Sequence, residues 1–367
     1  MLAKKVLIAA VSSRPFVKAA AQAGYVVTAI DVFADADTQQ FAEHAYKVEY
    51  ANSGFEPGHF EAILDAIDVS DFYGFAYGSG FEAQPDLLAR IAKKLPLIGN
   101  TPETVQRLKY APEFFGLLER LSIPHPEVCF EALADSDGWL CKEAGGSGGT
   151  HVLNAQAGAA LAEGHYYQRV KPGLPVSMLF AANGTEIKVV GFNQQWIAPI
   201  EHRPYRYGGI VGHAELPLTI KQGMQAAAEK ITQAVGLRGM NSLDIIWDGD
   251  QFWVLEINPR LSSTLDLYQS PSSNLFDLHV QAVGGDLSRL PTIPSRARAR
   301  NVFYALQDLT VPADFTWPEW TADIPMPLSC IPHEQPICTV LAEAETAHEA
   351  RDLVLARVQQ LSDLLFN

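Results

Sequence analysis

Residues 239 to 261 run GMNSLDIIWDGDQFWVLEINPRL, with two alternating runs, Ser242 to Trp247 and Phe252 to Ile257, around Asp248-Gly249-Asp250. Period-two alternation marks half-buried strands, and an Asp-Gly pair between them marks a hairpin. A three-residue loop pairs Trp247 with Gln251 and sets Asp244 opposite Val254. Glu256 then shares the face of Asp244 on a diagonal, and Asn258 follows two residues on. Two carboxylates so close repel unless a proton or a cation lies between them. So few hard oxygen donors suit Mg²⁺, which fills its octahedron with water and phosphate oxygens. Asp244, Glu256 and Asn258 are therefore candidate metal ligands. Arg260, in phase with them, is placed to hold negative charge developing beside the ion. An ordinary acidic hairpin face accounts for one carboxylate. Four polar groups in phase, with apolar residues between them, point to a site.

Further back, Trp139-Leu140-Cys141-Lys142 reads as a strand end before Glu143-Ala144-Gly145-Gly146-Ser147-Gly148-Gly149-Thr150-His151. Glycines at this density let successive N–H groups turn toward one anion, and Lys142 adds a point charge. No Gly-Lys-Ser/Thr closes the loop, so it is not a Walker loop. Between loop and hairpin, His202, Arg203, Tyr205 and Arg206 cluster in EHRPYRYGG, a polar loop whose cations are placed to select an acidic substrate. His279, on an apolar helical stretch, reads as a satisfied core residue.

The chain opens as strand, turn, helix, strand: Val6 to Val11, the breaker Ser12-Ser13-Arg14-Pro15, Phe16 to Ala23 capped by Gly24, and Tyr25 to Ile30. Such alternation favours a parallel sheet with crossover helices. Its first turn lacks GxGxxG, so the unit is Rossmann-like without dinucleotide chemistry. Asp71 to Gly80 is a further strand running into a glycine-rich turn. Pro85 to Lys94 follows as a helix and Leu97 to Gly99 as a strand, and Thr101 caps a helix that opens at Pro102. With 367 residues the chain exceeds one compact core. A Rossmann-like domain is expected at 1–100 and a two-part domain at 101–290, divided after 170. A small α+β unit is expected at 291–367, entered through Pro291, Pro294 and the basic stretch Arg296 to Arg300. Its strands are Val302 to Leu306 and Ile337 to Leu341, and its helix runs from Ala347 to Leu365.

Hydrophobic residues make up 48% and charged residues 19%, an ordinary globular balance, and the formal net charge is -15. That field repels a nucleic-acid backbone, so nucleic acid is not an expected partner. A pocket with a few cations and N–H donors still takes a small polyanion. Cys129, Cys141, Cys330 and Cys338 form no CxxC pair and no disulfide framework, and read as incidental thiols in a reducing compartment. The first apolar run is too short for a signal segment or a bilayer span, and no later run is long enough. A cytoplasmic location without membrane contact is expected.

A lysine-led glycine loop, then about a hundred residues later an Asp strand and Leu255-Glu256-Ile257-Asn258-Pro259-Arg260, resembles the ATP-grasp superfamily over roughly residues 1 to 300. The resemblance implies an α/β protein with a Rossmann-like pre-ATP-grasp domain. A two-subdomain ATP-grasp fold with antiparallel sheets follows, lid-bearing at 101–170 and metal-binding at 171–290, before the C-terminal α+β unit. It implies that Lys109, in Arg107-Leu108-Lys109-Tyr110, and Lys142 meet the ATP phosphates, under a lid of Gly145, Gly146, Ser147, Gly148 and Gly149. Gln168, Arg169 and Val170 look like the segment joining the subdomains, where the backbone meets adenine. Asp244, Glu256 and Asn258 take the magnesium role, for one or two ions with Mn²⁺ as a substitute. Arg260 and Lys142 take the catalytic roles, and His202, Arg203 and Arg206 stand as a substrate cluster. The superfamily commonly has an acidic residue after the hinge to hold ribose. Residues Lys171 to Ser177 offer none, which leaves ribose recognition open.

Within the superfamily the chain is similar to the carbamoyl-phosphate-synthase-like and carboxylate–amine ligase branch. Tyr77-Gly78-Ser79-Gly80-Phe81-Glu82 is similar to a stretch of tyramine–glutamate ligases. The implied activity is ATP- and Mg²⁺-dependent activation of a carboxylate as an acyl phosphate, followed by C–N bond formation with an amine. Partners are then a small-molecule carboxylate and amine, and a homodimer is the implied assembly. The alternatives are a bicarbonate-activating, carboxylase-like enzyme and a non-catalytic nucleotide-binding protein.

Overall fold

The computed structural model describes residues 3–51, 54–270, 272, 274–288 and 292–366. Val6 to Ala10 form an unbroken apolar run, and each is fully buried, as a strand covered on both faces requires. Strands β1 (Lys5–Ala10), β2 (Val26–Asp31), β3 (His44–Lys47), β4 (Phe72–Tyr77) and β5 (Leu97–Ile98) pair in parallel, in the order β3-β2-β1-β4-β5. The winding reverses between β1 and β4, so their carboxyl ends flank a natural crevice. Helix Arg14–Gln22 stops just before Gly24, whose φ of +84° turns the chain into β2. Helix Pro102–Lys109 begins as its sequence dictates, with Thr101 Oγ1 accepting the Thr104 N–H at 3.3 Å. Its far end delivers Lys109.

Strands β6 (Val128–Cys129), β7 (Trp139–Glu143), β8 (Val152–Asn154) and β9 (His165–Arg169) form a small antiparallel sheet, ordered β8-β7-β9-β6. Residues 170–173 then lead into a larger antiparallel sheet. It comprises β10 (Leu174–Asn183), β11 (Ile187–Ile197), β12 (Tyr207–Val211), β13 (Arg238–Trp247), β14 (Phe252–Asn258), β15 (Ala297–Tyr304), β16 (Thr321–Ala322) and β17 (Pro336–Ala344). Their order is β14-β13-β10-β11-β12-β15-β17-β16. Helices Ala111–Arg120 and Leu218–Val235 cover one face, where Phe115, Leu118, Met224 and Ile231 pack on Leu243, Ile245, Val254 and Ile257.

Two features of the C-terminal part differ from the sequence reading. The basic stretch Arg296 to Arg300 is no linker, because Ala-Arg-Ala-Arg alternates with period two and forms the first half of β15. The strand therefore starts at Ala297 rather than Val302. Moreover, β15 pairs with β12 from Gly209↔Asn301 to Val211↔Ala299, so one sheet runs through the region of the boundary drawn at residue 290. Leu290 and Pro291 themselves lie outside the described residues. Helix Ala347–Phe366 closes over β15 and β17 where its pattern placed it. His279 is a satisfied core residue: Nε2 donates to the Ile98 carbonyl and Nδ1 accepts the Met240 N–H, both at 2.8 Å. It thereby ties β5 to β13. No helix among the described residues is long and apolar enough to cross a membrane.

Candidate active site

The hairpin brings its acids closer than the simple register does. Its loop has four residues, Asp248 to Gln251, because Asp248 Oδ1 accepts the N–H groups of Asp250 and Gln251, and Trp247 pairs with Phe252. Past Ile245↔Val254 the register slips by one residue, and Asp244 sits directly opposite Glu256, with Asn258 opposite Ser242. The slip is a β-bulge at Leu255. It lets Val254 and Ile257 both enter the core while Leu255 and Glu256 face the other way. The expected pairing of Asp244 with Val254 is thus corrected twice, by the longer loop and by the bulge.

Asn258 Nδ2 donates to Asp244 Oδ2 at 3.1 Å, which turns its Oδ1 outward. The Lys109 ammonium occupies that spot, 2.8 Å from Asn258 Oδ1 and 2.9 Å from Glu256 Oε2. Burial and the neighbouring Glu256 push the Asp244 carboxyl well above the usual carboxylate range. Burial acts the same way on Glu256, but Lys109 and Lys142 outweigh it and hold that carboxyl low. The two neighbouring acids are thus shifted in opposite directions, Asp244 upward and Glu256 downward. Among the described residues no three His, Cys, Asp or Glu side chains form a cage for a metal ion. Two acids and one amide meet there, and the Lys109 ammonium is hydrogen-bonded to two of the three.

Lys142, on β7, is buried, with Nζ 3.2 Å from Gln168 Oε1 and hydrogen-bonded to Tyr166. Beyond it the glycine loop is seated on both sides. A Cβ on Gly145 (φ +78°) would lie 2.8 Å from Ala83 Cα, and one on Gly149 (φ +71°) would collide with the Tyr205 carbonyl oxygen. The Tyr207 N–H donates to Gly148 O at 2.9 Å, and Tyr50 shares a side-chain hydrogen bond with Ser147. Gly146 packs against the His151 ring. Under this roof lies a narrow crevice walled by Lys109, Lys142, Gly145, Gly146, His151, Tyr166, Leu255 and Glu256.

The other expected residues divide. Gln168 is buried beside Lys142. Arg169 turns to the surface, where Nη1 donates to Asp137 O and the guanidinium lies over Trp139. The N–H groups of Arg169 and Val170 already donate to Glu127 and Gly138, so those donors of the hinge are engaged within its own surroundings. In the polar loop, Arg206 donates to Ala198 O and Glu334 O and stacks on Tyr304 at 3.8 Å, and His202 lies 3.1 Å from Glu334. Both anchor the loop that seats the glycine lid. Among the described residues, no hydrogen bond or ion pair joins the Arg203 side chain to the acids. Arg260 does not point freely at them either: its Nε donates to Glu82 Oε1 at 2.6 Å, and Nη2 lies 3.5 Å from Asn258 Oδ1. Sequence reading did not single out Tyr166, His151 or Glu82 as site residues. Tyr166 could have been found, since it lies two residues from Gln168 on the same strand face.

Comparison with known proteins relates this fold to a family of known domains. Residues 113–264 match the ATP-grasp domain family. The large chain of carbamoyl phosphate synthase from Halomonas eurihalina is 23% identical over 243 residues, covering 58% of this chain and 22% of that one. The chain thus spans about a fifth of the length of the curated relatives it matches. Among solved structures, the biotin carboxylase domain dimer of Hydrogenobacter thermophilus 2-oxoglutarate carboxylase, in complex with MgADP, ADP and bicarbonate, superposes with a TM-score of 0.74. It is 12% identical and covers 96% of this chain and 89% of that one. The L-amino acid ligase of Bacillus licheniformis gives 0.68 at 15% identity, covering 97% of both. Residues 113–264 carry the ATP-grasp domain, and the chain has the fold shared by these ligases and carboxylases.

Proposed function

We propose that the protein is an ATP- and Mg²⁺-dependent ligase that activates a substrate carboxylate as an acyl phosphate and passes it to an amine. One observation carries this reading: Asp244, Glu256 and Asn258 converge under a glycine roof, and the Lys109 ammonium holds the cation position between two of them. A protein that merely binds a nucleotide has no need of both acids. Asp244, Glu256 and Asn258 would hold magnesium, which when bound neutralises phosphate charge and fixes the orientation of the phosphoryl group. Lys109 would leave Glu256 for a phosphate oxygen as the ion takes its place, and Lys142 would meet a second phosphate. The seated loop excludes water, which protects an acyl phosphate from hydrolysis until the amine arrives. Arg260 offsets the charge spread over the transferring group.

The test is phosphate release from ATP and Mg²⁺ across pooled amino acids and amines. Release that needs both a carboxylate and an amine supports ligation. Stimulation by bicarbonate alone would move the assignment to a carboxylase-like enzyme, and no release under any pool would leave a nucleotide-binding protein without turnover. A carboxylate and an amine as substrates, and a cytoplasmic setting, belong to the same proposal.

A further inference from the structure

Glu82 stands outside the roles given above, yet it is the most directed contact in the site. It follows β4 in the turn at the reversal point of the parallel sheet, and its side chain is 3% exposed. Its two oxygens serve two donors: Oε1 accepts the Arg260 Nε–H and Oε2 accepts the Gly80 N–H, each at 2.6 Å. The backbone around Arg260 is fixed by other bonds. The Leu261 N–H donates to Tyr77 O at 3.2 Å, and Pro259 O accepts both Asn100 Nδ2 at 2.9 Å and the Tyr77 hydroxyl at 3.4 Å. Docking of this strand end therefore does not depend on Glu82. What Glu82 sets is the direction of one side chain.

An arginine has a long flexible stem and a planar head with five donors. Held by Nε from one side, the head can present only its Nη edge to the other. That edge faces Asn258, and Nη1 is steadied by Leu261 O at 3.2 Å. We infer that Glu82 is a positioning residue that locks the Arg260 guanidinium by its Nε edge, so that the Nη edge is turned toward Asn258 and would meet the negative charge of a transferring group there. The inference rests on the ligase reading of the site and assigns Glu82 a part in it. Such preorganisation lowers the barrier without tightening the ground state, so its loss falls on kcat.

Glu82→Gln keeps the volume and leaves one acceptor oxygen for two N–H donors, so either Gly80 or Arg260 loses its partner. Magnesium-dependent ATP turnover should drop in kcat by about tenfold or more, with the KM for MgATP within about twofold. Glu82→Asp keeps both acceptors and should recover part of the loss. Added to Arg260→Ala, Glu82→Gln should cost nothing further in kcat, because the group it directs is gone. Unchanged kcat in Glu82→Gln, or losses that multiply in the double variant, overturns the inference and leaves the ligase reading standing. Equal loss of kcat, MgATP affinity and melting temperature, with no recovery in Glu82→Asp, also overturns it, since that is adhesion. A wild-type protein that neither binds MgADP nor turns over ATP overturns the reading of the site itself, and the role of Glu82 with it.

Discussion

Among the described residues, two groups of enclosed charged side chains can be compared, and they are built on different cations. One gathers Arg14, Arg300, Asp37, Asp266 and Asp323, from the first residue of helix Arg14–Gln22, from β15, from helix Ala36–Phe41, from the segment Ser263–Leu267 and from the turn after β16. Arg14, 2% exposed, grips Asp266 with both terminal nitrogens at 3.0 and 2.6 Å and Asp323 through Nε at 3.1 Å. Asp37 accepts the N–H groups of Asp323 and Ile324 at 2.9 Å each. The other group is the site, where a single ammonium bridges Glu256 and Asn258. A guanidinium fork matched to a carboxylate is a fixture, whereas a lysine is a point charge on a flexible stem that a metal ion can replace. Burial of charge does not by itself mark function. Exchangeability of the counter-charge does.

The contrast can be broken in several ways, beginning with the largest effect. Glu256→Ala should cut magnesium-dependent ATP turnover by roughly 1,000-fold, about 4 kcal/mol of barrier, with an unaltered circular dichroism spectrum. Near-wild-type turnover would remove the site from the comparison. Arg14→Ala should instead cost stability, about 3 kcal/mol in denaturant melts, because it strands buried carboxylates, and Arg14→Lys should restore only part. Acid should separate the two groups by sign. Burial raises Asp323, but Arg14 and Arg300 pull it well below its ordinary value. Its stabilisation is complete above that ordinary value and lost as pH falls through the depressed one. Asp244 is raised, so the cost of ionising it beside Glu256 grows as pH rises from the ordinary Asp value toward the raised one. Metal-free melts of Asp323→Asn and Asp244→Asn should therefore show both variants parting from wild type as pH rises past the ordinary Asp value, Asp323→Asn falling below it and Asp244→Asn rising above it, and differences of the same sign would refute the distinction.

Lys109→Met should weaken ATP binding by about tenfold and let Mg²⁺ alone bind more tightly, both read by calorimetry. Weaker binding of Mg²⁺ alone would show that the ammonium is no stand-in for the ion. Least of all, Arg206→Ala should cost about 1 kcal/mol of stability while substrate KM stays put. A raised KM would return Arg206 to the substrate cluster.

The parts of this picture legible in the sequence are those written at short range. Period two put Asp244, Glu256 and Asn258 on one face, and Thr101 with Pro102 started the helix that carries Lys109. Gly24 closed the first one. The hairpin register was not legible, because Asp248 capping its own loop and a residue inserted at Leu255 depend on which neighbours find the core. The Arg296 to Arg300 strand was hidden by reading its charge before its alternation. Contacts such as Arg14 with Asp323 and Glu82 with Arg260 join residues 309 and 178 apart in sequence, and no local pattern announces them. Ser12-Ser13-Arg14-Pro15 read only as a breaker, although it carries the most enclosed cation of the parallel-sheet unit.

A regular strand shows every second side chain to a given side. At Leu255 and Glu256 two consecutive side chains look the same way, so hydrocarbon and carboxylate stand shoulder to shoulder on one wall of the crevice. The apolar neighbour keeps solvent from that flank of the acid and lowers the local polarisability. A cation at Glu256, such as the Lys109 ammonium, therefore feels a stronger field than the same carboxylate would exert from an open sheet.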